Sequence, residues 1–140
     1  MKSIVHRRIM WGDLDPLGIV FYPRYYEWID AAGHVFFDGI NLNLGTLMEK
    51  RNIQFGLVET GCRYRAPGRY YDEITIVTEL KGLKKKTLEL SHHIIRAEDN
   101  TLLVEGFEKR ICLDVSDPGN FRATPIPPDI YALLEQAAAQ

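Results

Sequence analysis

Serine is scarce in this chain. Among its 140 residues only Ser3, Ser91 and Ser116 are serines, and none stands in a Gly-x-Ser-x-Gly setting, which argues against a hydrolase of the nucleophile-elbow type. Cysteine is scarcer still: Cys62 and Cys112 form neither a CxxC nor a CxxH group. Neither a structural zinc site nor a disulfide framework is indicated, and the chain reads as cytoplasmic. There is no glycine-rich phosphate loop and no dinucleotide fingerprint. His92 and His93 are adjacent in an alternating segment, so they point to opposite faces, one toward the core and one toward solvent, and cannot easily share a metal. No apolar run approaches the roughly 20 residues a membrane span needs, and residues 1–11 lack the apolar core of a signal peptide. Charge of one sign is also lacking. Seventeen Lys and Arg against nineteen Asp and Glu give a net charge of −2, too balanced for an electrostatic nucleic-acid binder. With 46% hydrophobic residues the chain is too apolar for disorder. These limits leave one globular domain, residues 1–140, with no nucleic-acid partner, no membrane insertion and no metal.

What is present begins with a helix. Pro23 stands where proline favours a first helical turn, and Gly39 stands where glycine commonly ends one. Between them Tyr25, Trp28, Ile29, Ala32, Val35 and Phe36, followed by Ile40, recur at helical spacing, with Tyr26, Ala31 and Phe37 widening the apolar face. Glu27, Asp30, His34 and Asp38 leave only a narrow polar stripe, so the helix belongs largely inside something. Segments 58–66, 73–80, 87–95 and 102–113 are rich in β-branched and aromatic residues and read as strands, with a further strand within residues 2–11. Ala66-Pro67-Gly68, Lys81-Gly82 and Glu98-Asp99-Asn100 read as turns whose short spans favour antiparallel neighbours. Short helices are expected near 47–51 and 128–138. The pattern predicts an α+β domain in which a curved antiparallel sheet of about five strands wraps a long central helix. The sheet's second face then calls for a partner, and a homodimer or dimer of dimers supplies one.

The segment Trp11-Gly12-Asp13-Leu14-Asp15-Pro16-Leu17-Gly18-Ile19-Val20-Phe21-Tyr22-Pro23 joins the first strand to that helix and carries two carboxylates. Pro16 forces Asp15 out of helical geometry, and Gly18 permits a sharp turn. The helix start a few residues on offers unpaired N–H groups at the positive end of a dipole, where an oxyanion is stabilised. Pro23 has no N–H, so donation falls to Tyr22 or to residues after the proline. A carboxylate beside such donors can attack a carbonyl without serine, cysteine or metal. The same aspartates would serve equally as turn and cap groups.

This segment, continued through Arg24, Tyr25, Trp28, Ile29, Asp30, Ala31 and Ala32, resembles the 4-hydroxybenzoyl-CoA thioesterase family of hotdog-fold proteins, and the later strands agree in order and spacing over essentially the whole chain. The resemblance implies that Asp15 is the catalytic carboxylate, attacking the thioester carbonyl or activating water, and that the Tyr22 backbone amide polarises that carbonyl. It implies that Pro16 and Gly18 shape the loop, and that Asp30 lies near the acyl pocket, where it meets a ring hydroxyl. Many short-chain members of the family carry histidine where this chain has Tyr22. Tyrosine there is typical of the hydroxybenzoyl branch, which favours an aromatic acyl group. Lys84, Lys85 and Lys86, with Lys81 nearby, match basic positions close to the CoA nucleotide; Arg63 and Arg65 are secondary candidates. Phe21 and Tyr25 are open to either pocket or core, whereas Trp28 is assigned to the core.

The expected activity is therefore hydrolysis of an acyl-CoA to free acid and CoA, with coenzyme A as part of the substrate and no separate cofactor. The expected assembly is a homodimer or homotetramer. The alternatives are a short-chain aliphatic acyl-CoA or acyl-carrier-protein thioesterase, or a non-catalytic acyl-CoA-binding hotdog protein. A dehydratase would need a histidine near the helix start, and His34 lies well past it.

Overall fold

A computed structural model describes residues 1–139. Strand β1 (Lys2–Arg8) leads through a 3-10 turn (Trp11–Asp13) and the Asp15 loop into helix α1 (Pro23–Gly39). Helix α2 (Leu44–Arg51) precedes strands β2 (Ile53–Tyr64), β3 (Glu73–Leu83), β4 (Thr87–Arg96) and β5 (Thr101–Asp114). A two-residue strand β6 (Arg122–Ala123) and helix α3 (Pro128–Ala139) end the fold. The five long strands are antiparallel in the order β1-β3-β4-β5-β2, with β6 added beside β5. This is the expected α+β arrangement, a curled antiparallel sheet with α1 on its inner face.

Several boundaries differ from the pattern-based reading. Strand β2 begins at Ile53 rather than Val58, because Asn52 adopts a left-handed conformation (φ 52) that ends α2 and turns the chain directly into the sheet. Helix α2 starts at Leu44, where the Asn43 side chain accepts the Thr46 amide at 2.9 Å. Lys81-Gly82 is not a turn. It lies inside β3 at a register shift, and the reversal falls at residues 84–86, closed by the Lys84 amide donating to the Thr87 carbonyl at 2.8 Å. On α1, Ala31 and Val35 face outward with the polar stripe rather than joining the apolar face.

Alternation on the three inner strands sets the core. Ile74, Ile76 and Leu80 of β3, Leu88, Leu90 and Ile94 of β4, and Val104 and Cys112 of β5 are buried. They form two separate apolar clusters. One gathers Tyr25, Trp28, Ile29 and Ala32 at the start of α1 over Ile74, Ile76, Ile94 and Val104. The other gathers Phe36 and Phe37 at its end with Leu80, Leu88, Leu90, Cys112 and the buried face of α3. Between them each inner strand breaks its apolar series with polar residues: Thr78 on β3, His92 on β4, and Glu108 and Arg110 on β5, all buried. As expected, His92 points to the core, while the neighbouring His93 is only partly buried.

Candidate active site

The Asp15 loop is a tight hairpin whose geometry follows from its residues. The Gly18 amide donates to the Asp15 carbonyl at 2.9 Å, and the Asp15 amide donates to the Ile19 carbonyl at 2.8 Å. Pro16 presets the first turn position, and Gly18 takes φ +77, the left-handed conformation that completes a three-residue hairpin loop. Within it the Asp15 side chain accepts the Leu17 amide through Oδ1 at 2.8 Å. This is the turn-forming role aspartate often takes. It occupies one carboxylate oxygen and, among the described residues, leaves Oδ2 without a partner.

Asp13, two residues earlier, is held in the opposite way. It is 7% exposed; Oδ2 accepts the Met10 amide at 2.8 Å, and Oδ1 lies 3.3 Å from Arg24 Nε. Its backbone carbonyl accepts the Phe21 amide at 2.8 Å. Asp13 ties the loop to the helix start, so the capping role weighed for both aspartates belongs fully to Asp13 and only half to Asp15.

The loop is docked on the β2–β3 connection. The Val20 amide donates to the Gly68 carbonyl at 2.9 Å, and Ile19 bridges to Arg69. Gly68 is required by crowding: a Cβ there would lie 2.7 Å from the Tyr25 hydroxyl and 2.8 Å from Ile9 Cδ1. This docking closes a cavity of about 310 Å³ lined by Asp15, Ile19, Val20, Tyr22, Tyr25, Tyr64, Ala66, Pro67 and Gly68. The volume lies near the lower end of small-molecule sites. Its lining is mostly apolar, and Asp15 is the single carboxylate on it. Burial pushes the Tyr25 phenol up to about 12, against the opposing effect of its Gly68 backbone hydrogen bond. Burial likewise raises the Tyr64 phenol, with the neighbouring Tyr26 hydroxyl adding to the effect. Both tyrosines therefore stay protonated near neutral pH, and the charge on this wall comes from Asp15.

Helix α1 begins at Pro23, and its first two amides are already used: Arg24 donates to the Phe21 carbonyl at 2.9 Å and Tyr25 to the Tyr22 carbonyl at 3.1 Å. The Tyr22 amide has no such partner among the described residues. A free N–H at the positive end of a helix, on a residue lining the same cavity as Asp15, can receive a carbonyl oxygen that becomes negative.

Of the residues singled out from the sequence, Asp15, Tyr22 and Tyr25 line this cavity, and Gly18 shapes the loop beneath it. Phe21 does not line it; its ring is exposed and tilts against Tyr22 at 5.7 Å. Trp28 is core, with the Arg7 guanidinium 4.9 Å above its ring. Asp30 lies two helical turns past Tyr22 and pairs with Arg110 at 2.9 Å. Lys84, Lys85 and Lys86 are exposed at the far end of β3. That strand's eleven residues, at about 3.3 Å each, span about 36 Å, and the lysines follow its end while Gly68 precedes its start. Arg65 is paired with Glu105 at 2.8 Å. Tyr64 and the Ala66-Pro67-Gly68 turn were missed as cavity walls; the Pro-Gly pair marked the turn, but nothing local said which loop it would meet. Among the described residues no group of three or more His, Cys, Asp or Glu is placed to hold a metal, and no helix is long and apolar enough to cross a membrane.

Residues 9–134 match a family model described as the thioesterase-like superfamily. The 4-hydroxybenzoyl-CoA thioesterase of Pseudomonas sp. (strain CBS-3) is 29% identical over 134 residues, covering 92% of this chain and 94% of that protein. The acyl-CoA thioester hydrolase YbgC of Escherichia coli O6:H1 is 27% identical over 129 residues, covering 92% of each chain. Among solved structures, a gentisyl-coenzyme A thioesterase superposes with a TM-score of 0.81 at 34% identity, covering 94% of this chain and 98% of that one. A 4-hydroxybenzoyl-CoA thioesterase variant complexed with 4-hydroxybenzoyl-CoA gives 0.87 at 28%, covering 95% and 98%.

Proposed function

The chain belongs to the thioesterase-like superfamily, and we propose that it hydrolyses an acyl-CoA thioester to the free acid and CoA, with an aromatic, hydroxybenzoyl-type acyl group favoured. It is a thioester hydrolase by kinship with thioesterases along nearly its whole length. One observation carries the assignment of chemistry within it. Among the described residues, Asp15 is pinned by one oxygen in a tight turn and leaves the other open on an apolar cavity that Tyr22, with its unpaired amide, also lines.

In this reading the thioester carbonyl oxygen takes the Tyr22 amide hydrogen bond. Asp15 then acts in one of two balanced ways. Its free oxygen attacks the carbonyl carbon, the C–S bond breaks, CoA leaves as thiolate, and water cleaves the resulting anhydride. Alternatively Asp15 takes a proton from water, whose oxygen attacks directly, and the same thiolate leaves. Tyr25 and Gly18 shape the acyl end, Phe21 contributes from the rim, and Asp30 receives a ring hydroxyl. Lys84, Lys85 and Lys86 hold the CoA phosphates. No further cofactor is needed, because both routes use only Asp15, water and the substrate.

Asp30 and the lysines lie away from the Asp15 cavity in one chain, so the complete site needs a second copy. Strand β2 ends the sheet with an unpaired edge and exposes Leu57, Val58 and Tyr64, the kind of edge that pairs with another chain. A homodimer, or a homotetramer built from two, is the assembly this reading proposes. The thiols of Cys62 and Cys112 are free, the state a reducing cytoplasm maintains, and we place the enzyme there.

Thiol release from 4-hydroxybenzoyl, benzoyl, phenylacetyl, short aliphatic and long aliphatic CoA esters tests this reading. Turnover that depends on Asp15 and prefers the hydroxylated aromatic ester is expected. A preference for short aliphatic esters would move the chain toward the alternative specificity. Tight binding with no thiol release on any ester would make it a binding protein.

A further inference from the structure

The buried polar belt is the feature that the hydrolysis chemistry leaves unused. Thr78 Oγ1 lies 2.8 Å from His92 Nδ1, and His92 Nε2 faces Glu108 Oε1 at 3.3 Å. Glu108 Oε2 accepts Arg110 Nε at 2.8 Å. Arg110 Nη1 donates to the Phe55 carbonyl at 3.0 Å, and Nη2 donates to Asp30 Oδ1 at 2.9 Å. All of these side chains are buried except Asp30, which is 55% exposed. The helix makes room for the belt: a Cβ on Gly33 would lie 3.2 Å from both Glu108 carboxylate oxygens.

An exposed aspartate on a helix ordinarily samples several rotamers, and an exposed ion pair does little to stop it. Asp30 differs because its partner cannot move. The planar Arg110 fork is fixed at Nε by Glu108 and at Nη1 by the Phe55 backbone, so Nη2 is aimed at one point on the α1 surface. Glu108 is held in turn. Burial alone would raise its carboxyl, but the facing His92 and the Arg110 guanidinium outweigh burial and keep it below the ordinary range. Buried ion pairs of this kind add little net stability over apolar packing; what they supply is orientation. Asp30 Oδ1 is occupied by Arg110, and Oδ2 lies 3.6 Å from Nε2 of the half-exposed His34.

We infer that Arg110, braced by Glu108, His92 and Thr78, is a positioning residue that holds the Asp30 carboxylate in one orientation, so that it selects acyl groups bearing a hydrogen-bond donor. The inference rests on the proposed function for the identity of that donor, a ring hydroxyl.

Binding of two non-hydrolysable thioethers, 4-hydroxyphenacyl-CoA and phenacyl-CoA, tests it by calorimetry, with thiol release from the matching esters measured separately. The wild type is expected to prefer the hydroxylated analogue by about tenfold or more, as a hydrogen bond to a charged group allows. Asp30→Ala brings the ratio close to one. Arg110→Lys keeps the charge but loses the fork, and it lowers the ratio at least about threefold. The Asp30→Ala, Arg110→Lys double variant shows the Asp30→Ala ratio with no further loss, an outcome that general destabilisation would not produce. Glu108→Gln, which preserves an acceptor for Arg110, gives a smaller fall in the same direction and serves if Arg110→Lys does not fold. Wild-type ratios in both Arg110→Lys and Glu108→Gln, or a ratio that survives Asp30→Ala, would overturn the inference. Loss of thiol release with the binding pattern intact would refute the thioesterase reading and leave the inference standing.

Discussion

The Asp15 loop and the Glu108 belt hold carboxylates in contrasting ways. Asp15 stands on a solvent-reaching cavity with one backbone hydrogen bond and one free oxygen. Glu108 is enclosed between two apolar clusters with Arg110 on one oxygen and His92 facing the other. Each arrangement suits a different task. A carboxylate that must attack or accept a proton needs an unoccupied oxygen, whereas a buried one that braces a neighbour needs cationic or polar groups facing it. Asp13 repeats the second pattern only two residues from Asp15. Of these three carboxylates, Asp15 is the one that combines an unpartnered oxygen with a place on an apolar cavity.

The sharpest way to break this contrast is to change Asp15 itself. Asp15→Asn keeps the Leu17 hydrogen bond, so thiol release should fall by about 10²–10⁴-fold while the melting temperature barely moves. A folded variant with wild-type turnover would remove Asp15 from the chemistry. Arg110→Met should do the reverse in kind. It strands Glu108 in the core, and denaturant unfolding should report a loss of about 3–5 kcal/mol. Asp13→Asn keeps an acceptor for the Met10 amide but loses the charge facing Arg24, so about 1 kcal/mol of stability should disappear. Any fall in its turnover should stay far below that of Asp15→Asn. Gly33→Ala would ordinarily stabilise a helix interior by about 1 kcal/mol; against the pinned Glu108 carboxylate it should instead destabilise, as a lowered denaturation midpoint.

The smallest effect is in pH. The folded-state pKa of Glu108 lies below its ordinary value, so its stabilising contribution is complete above the unfolded-state carboxylate range and is lost as pH falls through the folded-state value. Unfolding free energy measured from pH 7 down to 3 should drop more steeply in the wild type than in Glu108→Gln.

Much of the fold was legible from local pattern. Pro23 and Gly39 bracket α1, and period-two alternation marks β3, β4 and β5, because burial on one face imposes those periods directly. Alternation alone starts β2 five residues late, because its true start depends on the left-handed Asn52, a choice the following Ile53-Gln54-Phe55 does not signal. Lys81-Gly82 misled for the converse reason: a Lys-Gly pair suits a turn, but pairing with Glu89 across a register shift keeps Gly82 in the strand.

At the site, sequence alone determined the motif: an Asp-Pro-x-Gly turn that fixes Asp15, a proline-started helix that supplies the Tyr22 amide, and the family to which they belong. Those features lie within ten residues and obey local rules of turn and helix geometry. Only the tertiary structure decided that Asp13 is structural, that Tyr64 and Gly68 wall the cavity, and that Thr78, His92, Glu108 and Arg110 converge beneath Gly33 to reach Asp30. Those contacts join residues far apart along the chain, and their partners are chosen by strand order and register, which alternation within any one strand does not encode.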